Sequence, residues 1–255
     1  MENKIIHGDC LKELRKMDDE SIDVIITSPP YNKGHWSKNR SMNNGFNTKK
    51  HPNSYTSPTK SRRITYGDFD DNLSPEDYER QQREVIIECL RVLKPHGSLF
   101  YNHIDILSEH QTIHPKFVYD FPLKQIIIWN RKNTPKLDKS YFFPITEYIF
   151  WIQKEKTSRT FFNRKKANMN KSIWDLSPDT KNKFPAPFPI DLPLNCIRAC
   201  CQKGGVVLDP FMGSGTTGVA CKIEGVNFIG IELNKEYCEV AKERINKSKE
   251  QEKLK

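Results

Sequence analysis

The chain has 255 residues, 36% of them hydrophobic and 29% charged, and carries a formal net charge of +9. That length suits one α/β domain with insertions, and no apolar run approaches the length of a membrane-spanning helix. The first ten residues hold no apolar signal-peptide region, so a cytoplasmic location is expected, and seven cysteines with no Cys-x-x-Cys pair argue for free thiols rather than disulfides or a zinc site.

Taken in order, Lys4 to His7 reads as a short strand and Asp9 opens a helical pattern. Ile22 to Ile26 is a second strand, mostly apolar and therefore central. It runs into Thr27-Ser28-Pro29-Pro30-Tyr31, where two adjacent prolines cannot continue a ladder and form a stiff turn. Ser28 and Tyr31 are thus expected at the carboxyl end of a central strand, where open α/β sheets place their chemistry. Residues 32 to 66 carry Lys33, Lys38, Arg40, Lys49, Lys50, Lys60, Arg62 and Arg63 without one Asp or Glu. The stretch shows no period and reads as a long mobile loop suited to phosphate contact.

Ser74 and Pro75 form an N-cap and first helical residue, with the helix reaching Leu93 and ended by Lys94-Pro95-His96-Gly97. Strands are expected at Ser98 to Tyr101, Gln125 to Trp129 and Tyr148 to Ile152. The region from about 131 to 184 is polar and basic, with Arg164, Lys165 and Lys166 at its heart, and is the expected recognition region. His7, His96, His103, His110 and His114 are scattered and read as structural or surface groups. Phe184 to Pro189 is an extended Pro-rich segment leading to a helix from Leu192 to Cys201.

The C-terminal quarter is the most informative. Val206 to Leu208 is a strand ending in Asp209-Pro210-Phe211-Met212-Gly213-Ser214-Gly215-Thr216, after which a helix runs to Ile223. A further strand, Asn227 to Ile231, ends in Glu232, followed by a last helix from Lys235 to Lys249. The glycines permit a sharp turn and close ligand approach, the helix N-terminus suits an anionic group, and Glu232 suits ribose hydroxyls. Gly213-x-Gly215-x-x-Gly218 also satisfies the dinucleotide fingerprint, so an NAD-dependent oxidoreductase stands as an alternative. A non-catalytic nucleic-acid-binding protein is another. Too little chain follows Glu232 to finish a sheet, so the remaining strands must come from upstream.

With both motifs in view, the chain resembles the β group of DNA amino-methyltransferases along nearly its whole length. Thr27 to Tyr31 is similar to that family's catalytic motif and Asp209 to Gly215 to its cofactor motif. The resemblance implies a Rossmann-like methyltransferase fold in circularly permuted order, with a recognition region inserted. It further implies S-adenosyl-L-methionine (AdoMet) held by Asp9, Asp209, Pro210, Phe211, Gly213, Ser214, Gly215, Thr216 and Glu232, and no metal. Double-stranded DNA is the implied substrate, contacted by Lys33, Lys49, Lys50, Arg62, Arg63, Arg164, Lys165 and Lys166. A cognate restriction endonuclease is a candidate partner, no membrane is involved, and the protein is a monomer or homodimer. Phe184 departs from the family, which often carries His there.

The chemistry fits the residues. An exocyclic amine is a poor nucleophile until its N–H groups are held by acceptors, and Ser28 with the Pro29 carbonyl supplies two such groups. Pro30 stiffens the turn, and Tyr31 can stack on a flipped base. The mechanism selects neither base, but in the resembled family Ser in the first motif position is commoner with N4 of cytosine, so the resemblance implies that target, with N6 of adenine as the alternative.

Overall fold

A computed structural model describes residues 3–32, 72–107, 112–132, 142–157, 159–167, 171–179, 184 and 187–252. Ten strands and five helices are recognised there: β1 (Lys4–His7), α1 (Cys10–Leu14), β2 (Ile22–Thr27), α2 (Pro75–Val92), β3 (Leu93–His103), β4 (Ile106–Leu107), β5 (Thr112–Ile113), β6 (Leu123–Asn130), β7 (Thr146–Gln153), β8 (Ile173–Asp175), α3 (Asp191–Cys200), β9 (Val206–Asp209), α4 (Thr216–Glu224), β10 (Asn227–Glu232) and α5 (Lys235–Glu252).

Eight strands form one sheet in the order β1-β10-β9-β2-β3-β7-β6-β8. The first five run parallel, β7 is antiparallel to both neighbours, and β8 pairs parallel with β6. The N-terminal strand therefore lies beside the last strand of the C-terminal unit. Strand β2 is buried at every position, in keeping with its unbroken apolar run between β9 and β3. Its alternation divides the core. Ile25 faces α1 and α2 with Leu99, Tyr101, Val85 and Ile86, whereas Val24 and Ile26 face α3 and α4 with Phe100, Cys196, Ile197 and Ala220.

One boundary differs from the sequence reading. Residues 94 to 97 do not form a loop between helix and strand, because β3 begins at Leu93 directly after α2. The pairing jumps from Ile22↔Leu93 to Val24↔Ser98, so the extra residues form a bulge that absorbs Pro95. Buried Asp23 is the cause. Its carboxylate accepts from Lys94 Nζ at 2.8 Å, His96 Nε2 at 3.2 Å and Val206 N at 2.9 Å. Burial alone pushes this carboxyl up, but those three bonds outweigh it and hold it below its ordinary range. Strand β8 has no signature in the sequence, since three residues are too short to show a period.

Asn32 opens the basic stretch in sequence, yet it is buried and its Nδ2 donates to Leu73 O at 2.8 Å. That bond joins the chain just before residues 33–71 to the chain just after them.

Candidate active site

Both motifs arrive at the carboxyl edge of the parallel strands. β2 and β9 are neighbours, paired at Val24↔Val207 and Ile25↔Leu208, so the turn after Thr27 and the turn after Asp209 emerge side by side. The Thr27 hydroxyl donates to Asp209 Oδ1 at 3.2 Å, joining the turns directly.

The glycine-rich turn is shaped by contacts that only glycine allows. Gly215 has φ +78 and caps α4 from the left-handed region, and a Cβ there would stand 2.8 Å from Ala241 Cβ. A Cβ on Gly230 of β10 would meet Met212 Sδ at 2.0 Å, so the turn lies flat on the next strand. Arg244 of α5 pins its far side, donating from Nη1 to Ser214 O and Oγ at 2.5 Å each.

Two carboxylates organise this turn. Asp209 is buried beneath it, with Oδ2 accepting from Thr217 Oγ1 at 2.6 Å and Oδ1 from Phe211 N at 3.2 Å as well as from Thr27. Burial pushes its carboxyl up to about 7 despite those bonds. Asp209 lines neither cleft cavity, so the structure places it under the turn rather than on an open wall. Glu232 accepts from Gly213 N and Asn234 N at 2.8 Å each, and burial raises its carboxyl too.

Two small cavities sit along this edge and share Phe211 and Glu232. One is lined by Gly8, Asp9, Cys10, Pro30, Gln81 and Pro210. Asp9 reaches it while capping α1 through Oδ1 and Lys12 N at 3.0 Å. The other holds Ser28, Pro29, Tyr31, Gly213, Ser214 and Thr216. Between them the two cavities collect every expected catalytic and cofactor residue except Asp209, which lies beneath, and Gly215, which is taken up in the cap of α4. A larger cavity of about 380 Å³ between β6, β7 and α3 contains no motif residue, so the motifs point to the smaller cleft.

Tyr31 is turned inward rather than standing open to a base. It is 3% exposed, meets the His103 ring edge to face at 5.1 Å, and its hydroxyl lies 2.5 Å from Ser28 Oγ. Tyr78 donates to the Pro30 carbonyl at 2.9 Å and lies 2.9 Å from His103 Nε2, so α2 and β3 hold the Pro-Pro turn from behind. Phe184, Phe188 and Tyr237 also line the cleft, and Phe184 packs edge-on to Tyr237 at 4.5 Å. Nothing local in the sequence marks Tyr78 or Tyr237, while His103, expected as a structural or surface group, is buried behind the catalytic turn.

Of the expected DNA contacts, Arg164, Lys165 and Lys166 line neither of these two cavities. Lys33, Lys49, Lys50, Arg62 and Arg63 lie outside the described residues. Arg164, Lys165 and Lys166 are exposed on a turn tied to α3 by Asn163 N and Ala199 O, with Arg164 at the larger cavity. Among the described residues there is no group of three or more His, Cys, Asp and Glu able to hold a metal, and no helix is long and apolar enough to cross a membrane.

The sheet, the paired turns and the carboxyl-edge cleft define a Rossmann-like methyltransferase fold. The cytosine-N4-specific PvuII DNA methyltransferase superposes with a TM-score of 0.70 at 19% identity, over 97% of this chain and 91% of that one. The TTHA0409 protein of Thermus thermophilus, solved with AdoMet, superposes with a TM-score of 0.68 at 24% identity, over 96% and 94%. In sequence, the chain is 33% identical to the Type II methyltransferase M2.LlaDCHI of Lactococcus lactis subsp. cremoris, over 95% of this chain and 89% of that protein. It is 31% identical to M2.DpnII of Streptococcus pneumoniae, over 96% and 90%. Residues 22–243 match the family of N6/N4 DNA methylases. The chain belongs to that family and is an AdoMet-dependent DNA amino-methyltransferase.

Proposed function

We propose that this enzyme methylates the exocyclic amine of a base flipped out of double-stranded DNA, with Ser28 and the Pro29 carbonyl as the amine's acceptors. The observation that carries this reading is the adjacency of the two turns, with Ser28, Pro29, Gly213 and Glu232 lining one cavity. The residues fit AdoMet: Glu232 and Asp9 offer carboxylate oxygens along one continuous edge, Phe211 offers an apolar wall between them, and the glycine turn leaves room for close approach. Bound there, AdoMet supplies an electrophilic methyl group on a sulfonium sulfur. Asp209 acts from beneath, holding the turn through Phe211 N and Thr217 rather than through an open contact.

Ser28 and Pro29 accept the two N–H groups of the amine, which favours pyramidal nitrogen and frees its lone pair for attack. Phe184 and Phe188 line the same space with apolar ring surface suited to an unstacked base, while Tyr31 is packed beneath it. Recognition is assigned to residues 131–184 and backbone contact to the acid-free stretch 32–66, both on composition.

Ser28 in the first motif position makes N4 of cytosine the proposed target. The test is to methylate unmodified genomic DNA with the purified protein and separate the digested nucleosides. N4-methylcytosine is expected; N6-methyladenine alone would replace the base and leave the acceptors in place. A Ser28→Ala variant with full activity would overturn the acceptor assignment itself. A drop in rate of roughly a hundredfold or more is expected, the scale for deleting one preorganised polar contact to a reacting group.

A further inference from the structure

We propose that Asn102 and Glu147 are positioning residues that make the Ser28 hydroxyl a pure hydrogen-bond acceptor; the proposal rests on the assignment of Ser28 to the target amine. Asn102 is the next-to-last residue of β3 and is 2% exposed. Its amide nitrogen donates to Tyr148 O at 3.0 Å and to Glu147 Oε2 at 3.3 Å, both on β7. An amide nitrogen only donates, so these two acceptors fix the orientation of the side chain and turn Oδ1 toward Tyr31. A buried carbonyl oxygen needs a donor, and the Tyr31 hydroxyl reaches it at 3.4 Å.

Tyr31 has one hydroxyl proton, and if it is directed at Asn102, its oxygen is left to accept. The contact between Tyr31 and Ser28 at 2.5 Å must then be donated by Ser28. Serine also has one proton, so directing it away from the cleft leaves the lone pairs of Oγ for the incoming amine. That amine brings only N–H groups to this contact, and a hydroxyl proton aimed at it would oppose binding. Glu147 sits at the far end of the chain, 7% exposed, and its Oε1 accepts from Arg131 Nη1 at 2.9 Å. Its negative charge polarises every bond of Ser28–Tyr31–Asn102 in the same sense, toward an electron-rich Oγ. A neutral residue thereby acquires part of the acceptor strength of a carboxylate.

Four variants decide the matter: Asn102→Leu, Glu147→Gln, Tyr31→Phe and the double variant Tyr31→Phe/Asn102→Leu. Each is assayed for methyl transfer to unmethylated genomic DNA in a single turnover at saturating AdoMet, with AdoMet affinity measured by calorimetry. Each single change should slow transfer by about tenfold, the rate equivalent of one hydrogen bond, with AdoMet affinity kept within about twofold. The double variant should be no slower than the slower single, because both act through one contact. Wild-type rates in the single variants, or rate reductions that multiply in the double, overturn the proposal. Should Asn102→Leu fail to bind AdoMet through misfolding, the same cycle run with Glu147→Gln and Tyr31→Phe settles the question. Failure of the underlying assignment looks different: Ser28→Ala would then itself transfer methyl at the wild-type rate.

Discussion

Asp209 gives a sharp test of the cofactor turn, because its carboxyl is pushed from the ordinary 3.8 up to about 7 by burial. Between those values the folded protein holds a proton that the unfolded chain has released. The unfolded state then binds fewer protons, so stability falls as pH rises through this window and levels off above it. Each unit of displacement corresponds to about 1.4 kcal/mol, so the full span amounts to about 4 kcal/mol at most. Asp209→Asn keeps an acceptor for Thr27 and Phe211 N, offers an amide to Thr217, and never ionises. The variant should equal the wild type near pH 4 and exceed it by a growing margin up to about pH 7. The assay is urea unfolding of both proteins across pH 4 to 8, taking the difference so that other titrating groups cancel. A difference that stays flat would refute the reasoning: Asp209 would then be ionised in the folded state, its charge met by its hydrogen bonds.

Glu232→Ala should weaken AdoMet binding by about 1–3 kcal/mol in calorimetry, since Gly213 N and any ribose hydroxyl would be left without their acceptor. Gly215→Ala should cost about 2–4 kcal/mol in urea unfolding, combining a left-handed φ of +78 with a Cβ 2.8 Å from Ala241 Cβ. Neutralising Lys49, Lys50, Arg62 and Arg63 together should reduce the slope of DNA affinity against salt by about 3–4, at roughly 0.9 for each phosphate no longer neutralised. An unaltered slope would remove that stretch from the interface.

The parts of this enzyme that the sequence reveals are those coded locally. Strand β2 declares itself by an apolar run broken by two prolines, and the cofactor turn by glycines between two β-branched runs. The residues behind the catalytic turn are coded by register instead. Asn102 and Glu147 stand 45 positions apart and meet because β3 and β7 pair antiparallel at His103↔Tyr148. Tyr78 reaches Pro30 only because α2 packs under the same edge. Lys94-Pro95-His96-Gly97 looks like a helix stop because such residues usually are one; its true cause, a charge buried at Asp23, lies 71 residues from Lys94. Glu232 is legible as the end of a strand, but its grip on Gly213 needs the fold.

The hydrogen bond from Asn32 to Leu73 O couples the catalytic turn to the start of α2. It fastens the chain on either side of residues 33–71, with Asn32 1% exposed at the end of the catalytic turn. Leu73 directly precedes Ser74, the N-cap of α2, so one bond anchors both the exit from the catalytic turn and the entry to that helix. A change at Asn32 would therefore be felt at two places far apart in sequence, the turn that carries Ser28 and the helix that backs it with Tyr78.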